Sequence, residues 1–152
     1  MEEMAAFEPK NPEYLTAATA MFAAQPAMRT LGLSIVDLSP GRVELAMPYA
    51  TAFTQQNGFV HAGIITAGLD NACGVAAFTL MPREADILTV EFKTTLLAPA
   101  RGERFVFRAE VIKPGRTLTF CEAKAFAQHD GKTKLIAAMT GTLMAIMPRP
   151  AA

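Results

Sequence analysis

Between Gly58 and Met81 the sequence carries one carboxylate, Asp70, and the only other acidic or basic residue there is His61. An unpaired carboxylate among apolar neighbours is costly, so Asp70 calls for a partner, an opening to solvent or to another chain, or a chemical task. The task open to it is that of general base or nucleophile. Upstream, Gln55-Gln56-Asn57-Gly58-Phe59-Val60-His61-Ala62-Gly63 leads through a glycine-containing loop into this apolar run. If a helix begins there, the backbone N–H groups of Ala62 and Gly63 are expected to be left free. A helix start of that kind stabilises negative charge and can serve as an oxyanion hole. Close packing of the first turn on a sheet would equally explain Gly63, and the two roles are compatible.

These groups need elements to hold them. The run from His61 to about Leu80, closed by Pro82, reads as a buried helix rather than a membrane span, because Asp70 near its middle would cost about 2.5–3.5 kcal/mol at a bilayer centre. Asp70 lies eight residues after Ala62, roughly 12 Å along a helix at 1.5 Å per residue. One substrate carbonyl does not easily meet both, so a joint reaction requires the N–H from one chain and the carboxylate from another across a symmetric interface. The expected enzyme is at least a dimer.

The rest of the chain divides by period. Residues 11–24, with Tyr14, Leu15, Ala18, Met21 and Phe22 at helical spacing, predict an amphipathic helix ending before Pro26, and a short helical piece follows around Met28 and Leu31. Leu33 to Leu38 and Arg42 to Met47 flank the Ser39-Pro40-Gly41 turn as strands. Leu88, Val90, Phe92, Thr94 and Leu96 alternate with polar neighbours, which predicts a half-buried strand. Phe105 to Val111, Leu118 to Ala127 and Lys134 to Met147 predict three more, with a turn at Pro114-Gly115 and a hairpin at Asp130-Gly131. A nearly all-apolar helix among five or six antiparallel strands must be enclosed, and a curved sheet wrapped around it is the economical α+β solution.

Composition narrows the function. The 152 residues are 51% hydrophobic and 18% charged, with fourteen basic and fourteen acidic side chains. That is enough apolar material for one domain, residues 1–152, with its core over about 32–147. The balanced charge without a Lys/Arg run argues against nucleic acid as a partner. Cys73 and Cys121 sit in apolar stretches without a second ligand type at metal spacing, so no metal site is expected. No His neighbours Cys73 in sequence to activate it, and core packing is its expected role. The acidic start Met1-Glu2-Glu3-Met4 lacks secretory-signal character, and a cytoplasmic location is expected.

The ordered set Gln55-x-x-Gly58-x-x-His61-Ala62-Gly63, Asp70-Asn71, Gly74, Thr89-Val90-Glu91-Phe92-Lys93, Leu97-Ala98-Pro99 and Gly115-Arg116-Thr117 resembles the hotdog-fold acyl-CoA thioesterases of the phenylacetyl-CoA thioesterase type. The resemblance runs from about Gly32 to Met147. It implies a long helix cradled by an antiparallel sheet, hydrolysis of an acyl-CoA without metal or redox cofactor, and a homodimer or dimer of dimers. By the same resemblance Asp70 activates water or attacks the thioester, Gly63 or Ala62 offers an N–H to the carbonyl, and His61 shapes the loop. Gln55 would orient the nucleophile or thioester, and Thr89 would lie near the attacking water. Gly115, Arg116 and Thr117 would lie at the CoA nucleotide, with Arg116 pairing with phosphate. The sequence departs from the family pattern at Ala62, where a Gly is usual, and at Gln55, where Asn is common, so the preferred acyl group is expected to differ. A hotdog-fold hydratase or dehydratase, or a non-catalytic acyl-CoA-binding module, are the competing functions.

Overall fold

The computed structural model describes residues 6–151, so the acidic start Met1 to Met4 lies outside the described residues. Two helices come first, α1 (Tyr14–Ala23) and α2 (Pro26–Leu31), with Pro26 at the first position of α2 and Gly32 in the left-handed conformation that ends it. Strands β1 (Ser34–Ser39) and β2 (Arg42–Pro48) follow, joined at Gly41, which also has a positive φ. After a short 3-10 turn (Thr51–Phe53) comes the long helix α3 (Ala62–Phe78). Strands β3 (Asp86–Leu96), β4 (Arg104–Lys113), β5 (Leu118–His129) and β6 (Lys132–Ile146) complete the chain.

All six strands form one antiparallel sheet in the order β1-β2-β4-β5-β6-β3. Helix α3 lies across one face of the sheet and touches β2 to β6. Inward residues of β2 and β4, including Leu45, Met47, Phe105 and Phe107, are fully buried against Ile65, Leu69, Ala72 and Val75 of the helix. Burial of each large side chain is worth about 1.5–3 kcal/mol. The approach is close because of Gly68: a Cβ there would stand 2.4 Å from the Phe107 ring. The C-terminal end of α3 is pinned by Thr79, whose buried hydroxyl accepts from Gly41 N–H at 2.8 Å and donates to the Ala76 carbonyl at 2.7 Å. The hairpin turn expected at Asp130-Gly131 is present, with both residues at positive φ. Among the described residues no helix is long and apolar enough to cross a membrane.

β3 differs from the half-buried strand that its alternation predicts. Leu88, Val90, Phe92 and Leu96 are 44–61% exposed. Two causes combine. β3 is the last strand of the sheet, pairing only with β6, so its other edge has no neighbour. A bulge at Val90 also sets two residues of β3 against one of β6, since Thr89 pairs with Leu143 and Glu91 with Thr142. The extra residue transfers Leu88 to the outer face and brings Thr89 to the helix side, which it shares with Phe92, the partner of Gly141 facing Cys73.

Candidate active site

The bulge positions the first polar contact of the site. Thr89, paired with the buried Leu143, turns its side chain toward α3, and its hydroxyl donates to Asp70 Oδ1 at 2.8 Å. Asp70 is half-buried. Burial raises its carboxyl above the ordinary value of 3.8, while the Thr89 hydrogen bond pulls in the opposite direction. A carboxylate held this way keeps one oxygen available to take a proton. It opens into a cleft of about 360 Å³ between α1, α3 and β3.

At the other end of α3 the loop is held by its own backbone. Gln55 N–H donates to the Phe59 carbonyl at 2.8 Å, Gly58 N–H returns to the Gln55 carbonyl at 3.0 Å, and Gly58 takes the positive φ that this turn requires. His61 is the N-cap: its carbonyl accepts from Ile64 and Ile65, and its Nδ1 accepts from Gly63 N–H at 2.8 Å. This corrects the expectation of a free Gly63 N–H, because the imidazole occupies it. Ala62 N–H, at the first helical position, has no acceptor among the described residues. The open donor of this helix start is therefore Ala62. Gly63 is also not packed on the sheet, since the nearest atom to a Cβ there is His61 Nδ1 at 3.0 Å.

Ala62, His61 and Gln55 line a second cleft of about 670 Å³ with Phe59, Leu96 and Leu97. Gln55 is thus with Ala62 and not with Asp70 of the same chain, and its Oε1 accepts from Asn57 N–H within the turn. Asp70 and Thr89 thus stand together at one cleft, and Gln55 and Ala62 at another. The sequence reading missed Gln25, whose Oε1 accepts from Asn71 Nδ2 at 2.6 Å and which lines the Asp70 cleft. Nothing in a Gln at a helix boundary announces that contact.

Gly115, Arg116 and Thr117 lie in neither cleft. Gly115 and the exposed Arg116 border a groove of about 180 Å³ with Lys10 and with Leu80 to Pro82, past the C-terminal end of α3. Gly115 is required by its turn, as a Cβ would fall 2.0 Å from the Leu118 carbonyl oxygen, and Thr117 offers its carbonyl to Ala145 N–H at 2.9 Å. The Arg116 guanidinium is the charged group of the three and is exposed at this groove. A groove of about 410 Å³ on the outer face of the sheet is walled by ion-paired side chains such as Arg108 with Glu44, and holds no group set up to react.

The remaining nucleophiles are quiet. Burial pushes the Cys121 thiol up to about 12 and Cys73 higher still, so both stay protonated in the core, as their apolar surroundings predict. His129 is exposed on the β5–β6 hairpin between Glu103 and Asp130.

Residues 57–134 match the family profile described as the Thioesterase superfamily. The chain is 31% identical over 115 residues to human acyl-coenzyme A thioesterase 13, covering 74% of this chain and 81% of that protein. Among solved structures, a thioesterase family protein from Silicibacter pomeroyi is 59% identical, with a TM-score of 0.88 over 89% of this chain and 99% of that one. The PaaI protein of the E. coli phenylacetic acid degradation operon shares the fold at 17% identity, with a TM-score of 0.79 over 88% of this chain and 94% of that one.

Proposed function

The chain belongs to the thioesterase superfamily and is a thioester hydrolase, and from that premise we propose that it hydrolyses acyl-CoA to the free acid and CoA at sites shared between two copies of a single-domain chain. Asp70 takes a proton from water as it attacks the thioester carbon, or attacks that carbon itself. The developing oxyanion is held by the N–H of Ala62 of the partner subunit. The tetrahedral intermediate then expels the CoA thiolate, which takes up the proton that the water gave up; on the nucleophilic route the acyl group is left on Asp70 as a mixed anhydride, and attack of water on it releases the free acid and supplies that proton. Thr89 orients the carboxylate, and His61 keeps the helix start in shape.

The observation that carries this reading is the division of the site. The proton acceptor and the open N–H stand in different clefts, roughly 12 Å apart along α3, and each lacks what the other has. An edge strand with exposed Leu88, Val90, Phe92 and Leu96 is the natural seam for joining them, because unpaired strand edges seek a partner and a two-fold interface repeats the contact. Release of free thiol from a panel of acyl-CoAs tests the activity, and a chain that releases none from any of them overturns it.

Two predictions belong to this mechanism. Thr89→Val removes a donor that favours the ionised carboxylate, so the Asp70 pKa rises further and the acid limb of the kcat/KM profile moves to higher pH. A limb that stays in place separates Thr89 from the catalytic carboxylate. Arg116 is assigned to the nucleotide phosphates, a contact made equally in ground and transition states. Arg116→Ala should raise KM for acyl-CoA about tenfold, the loss of roughly 1.5 kcal/mol, and leave turnover of a pantetheine thioester unchanged. Equal impairment on both substrates removes Arg116 from the nucleotide site.

A further inference from the structure

We propose that the cleft beside Asp70 is the acyl pocket and that Gly74 determines how large an acyl group it admits, an inference that rests on the thioesterase reading above. Gly74 lies one helical turn after Asp70, so both residues look toward the same cleft. A glycine inside a helix carries an entropic penalty relative to alanine and calls for a reason. The other glycines of α3 have one within the chain: Gly68 admits the Phe107 ring, and Gly63 stands against the capping imidazole. A Cβ on Gly74 meets nothing within 4 Å. Its missing side chain therefore leaves space in the cleft and relieves no contact.

The cleft has the form of a binding pocket for an apolar group. Val75, Ile87 and Leu143 supply apolar walls, and the opposite side is the α1–α2 corner. That corner is tied down by Asn71 Nδ2 donating to Gln25 Oε1 at 2.6 Å and by Gln25 Nε2 donating to Met21 Sδ at 3.3 Å. Its position is fixed by contacts on both helices. The ionisable groups lining the cleft are Asp70 and Asp86, both acidic, with no Lys or Arg among the lining residues. Such a lining repels the phosphates of CoA and leaves the uncharged acyl end as the part of the substrate that fits.

The test compares the parent with Gly74→Ala, Gly74→Leu and Met21→Trp, which narrow the cleft from opposite sides. Two readouts are used: calorimetric binding of non-hydrolysable alkyl-CoA thioethers from ethyl to hexadecyl, and kcat/KM for acetyl-, hexanoyl-, phenylacetyl- and palmitoyl-CoA. The expected result is a shift toward smaller groups. Gly74→Leu should lower the hexanoyl-to-acetyl and phenylacetyl-to-acetyl ratios of kcat/KM at least tenfold, Gly74→Ala should fall between, and Met21→Trp should move them the same way. Thioether affinities should follow the same order. Thermal unfolding identifies a variant that fails to fold, and the other wall then carries the comparison. Ratios that stay constant in variants narrowed from both sides overturn the proposal, whether all substrates weaken equally or none does. A parent that releases no thiol from any acyl-CoA overturns the hydrolase reading instead, and the thioether series still decides whether this cleft measures acyl size.

Discussion

Asp70→Asn is expected to lower thioester hydrolysis by at least about 10²-fold, because the amide keeps the shape of the side chain and cannot take a proton or attack a carbonyl at neutral pH. Stability should respond in the opposite sense. Burial holds the folded pKa of Asp70 above the unfolded value of 3.8. In the window between those two values the folded chain binds more protons than the unfolded one, so stability falls as pH rises through it. At neutral pH the ionised carboxylate is therefore a net cost to the fold. Thermal unfolding of Asp70→Asn at pH 7 should have a midpoint at or above that of the parent, with the difference shrinking at acid pH. Near-parental turnover in this variant would remove Asp70 from the chemistry. Lost activity accompanied by a lowered midpoint would make Asp70 a structural residue.

Ala62→Pro is expected to be nearly as damaging, by removal of a single hydrogen. Proline is favoured at the first turn of a helix, where its missing N–H has no intrahelical partner. The preceding residue must be extended, and His61, at φ −58° and ψ 138°, already is. The substitution thus leaves the cap and the helix in place and deletes the open donor. Loss of one oxyanion donor costs about 10²–10³ in kcat, or about 2.7–4 kcal/mol. Ala62→Gly retains the N–H and should stay close to the parent, which separates the donor from the shape of the methyl. Co-assembly of Asp70→Asn chains with Ala62→Pro chains makes the sharper test. If each site takes its carboxylate from one chain and its N–H from the other, half of the sites in a mixed dimer combine both defects and the other half are intact. Activity should then reappear on mixing two inactive proteins. Mixed dimers that form and remain inactive would mean that each chain carries a complete site.

Much of this architecture was legible in the chain itself, for reasons of period and chemistry. The near-continuous apolar run around Asp70 must be enclosed whatever surrounds it. The alternation in Phe105–Val111 and the Asp130-Gly131 pair act over a few residues, so the strands and hairpin they predict are present. Asp70 stood out because a carboxylate in that company is expensive. The 1.5 Å rise of a helix was enough to separate it from Ala62.

Other features depend on contacts between residues far apart in sequence, and these only the tertiary structure decided. The alternation of β3 could not reveal that one inserted residue, Val90, turns Thr89 toward Asp70 and Leu88 away, because a bulge is defined by the register with β6, some fifty residues later. The exposure of β3 follows from its place at the end of the sheet, which the order of strands along the chain does not specify. The choice between Ala62 and Gly63 as the open donor turned on where the His61 imidazole points. Gly68 and Gly74 look alike in the sequence, yet the space beside one is filled by Phe107 from β4 and the other borders the cleft beside Asp70. Local pattern specifies which elements form and which groups are costly to bury, and the packing of distant strands decides which of those groups meet.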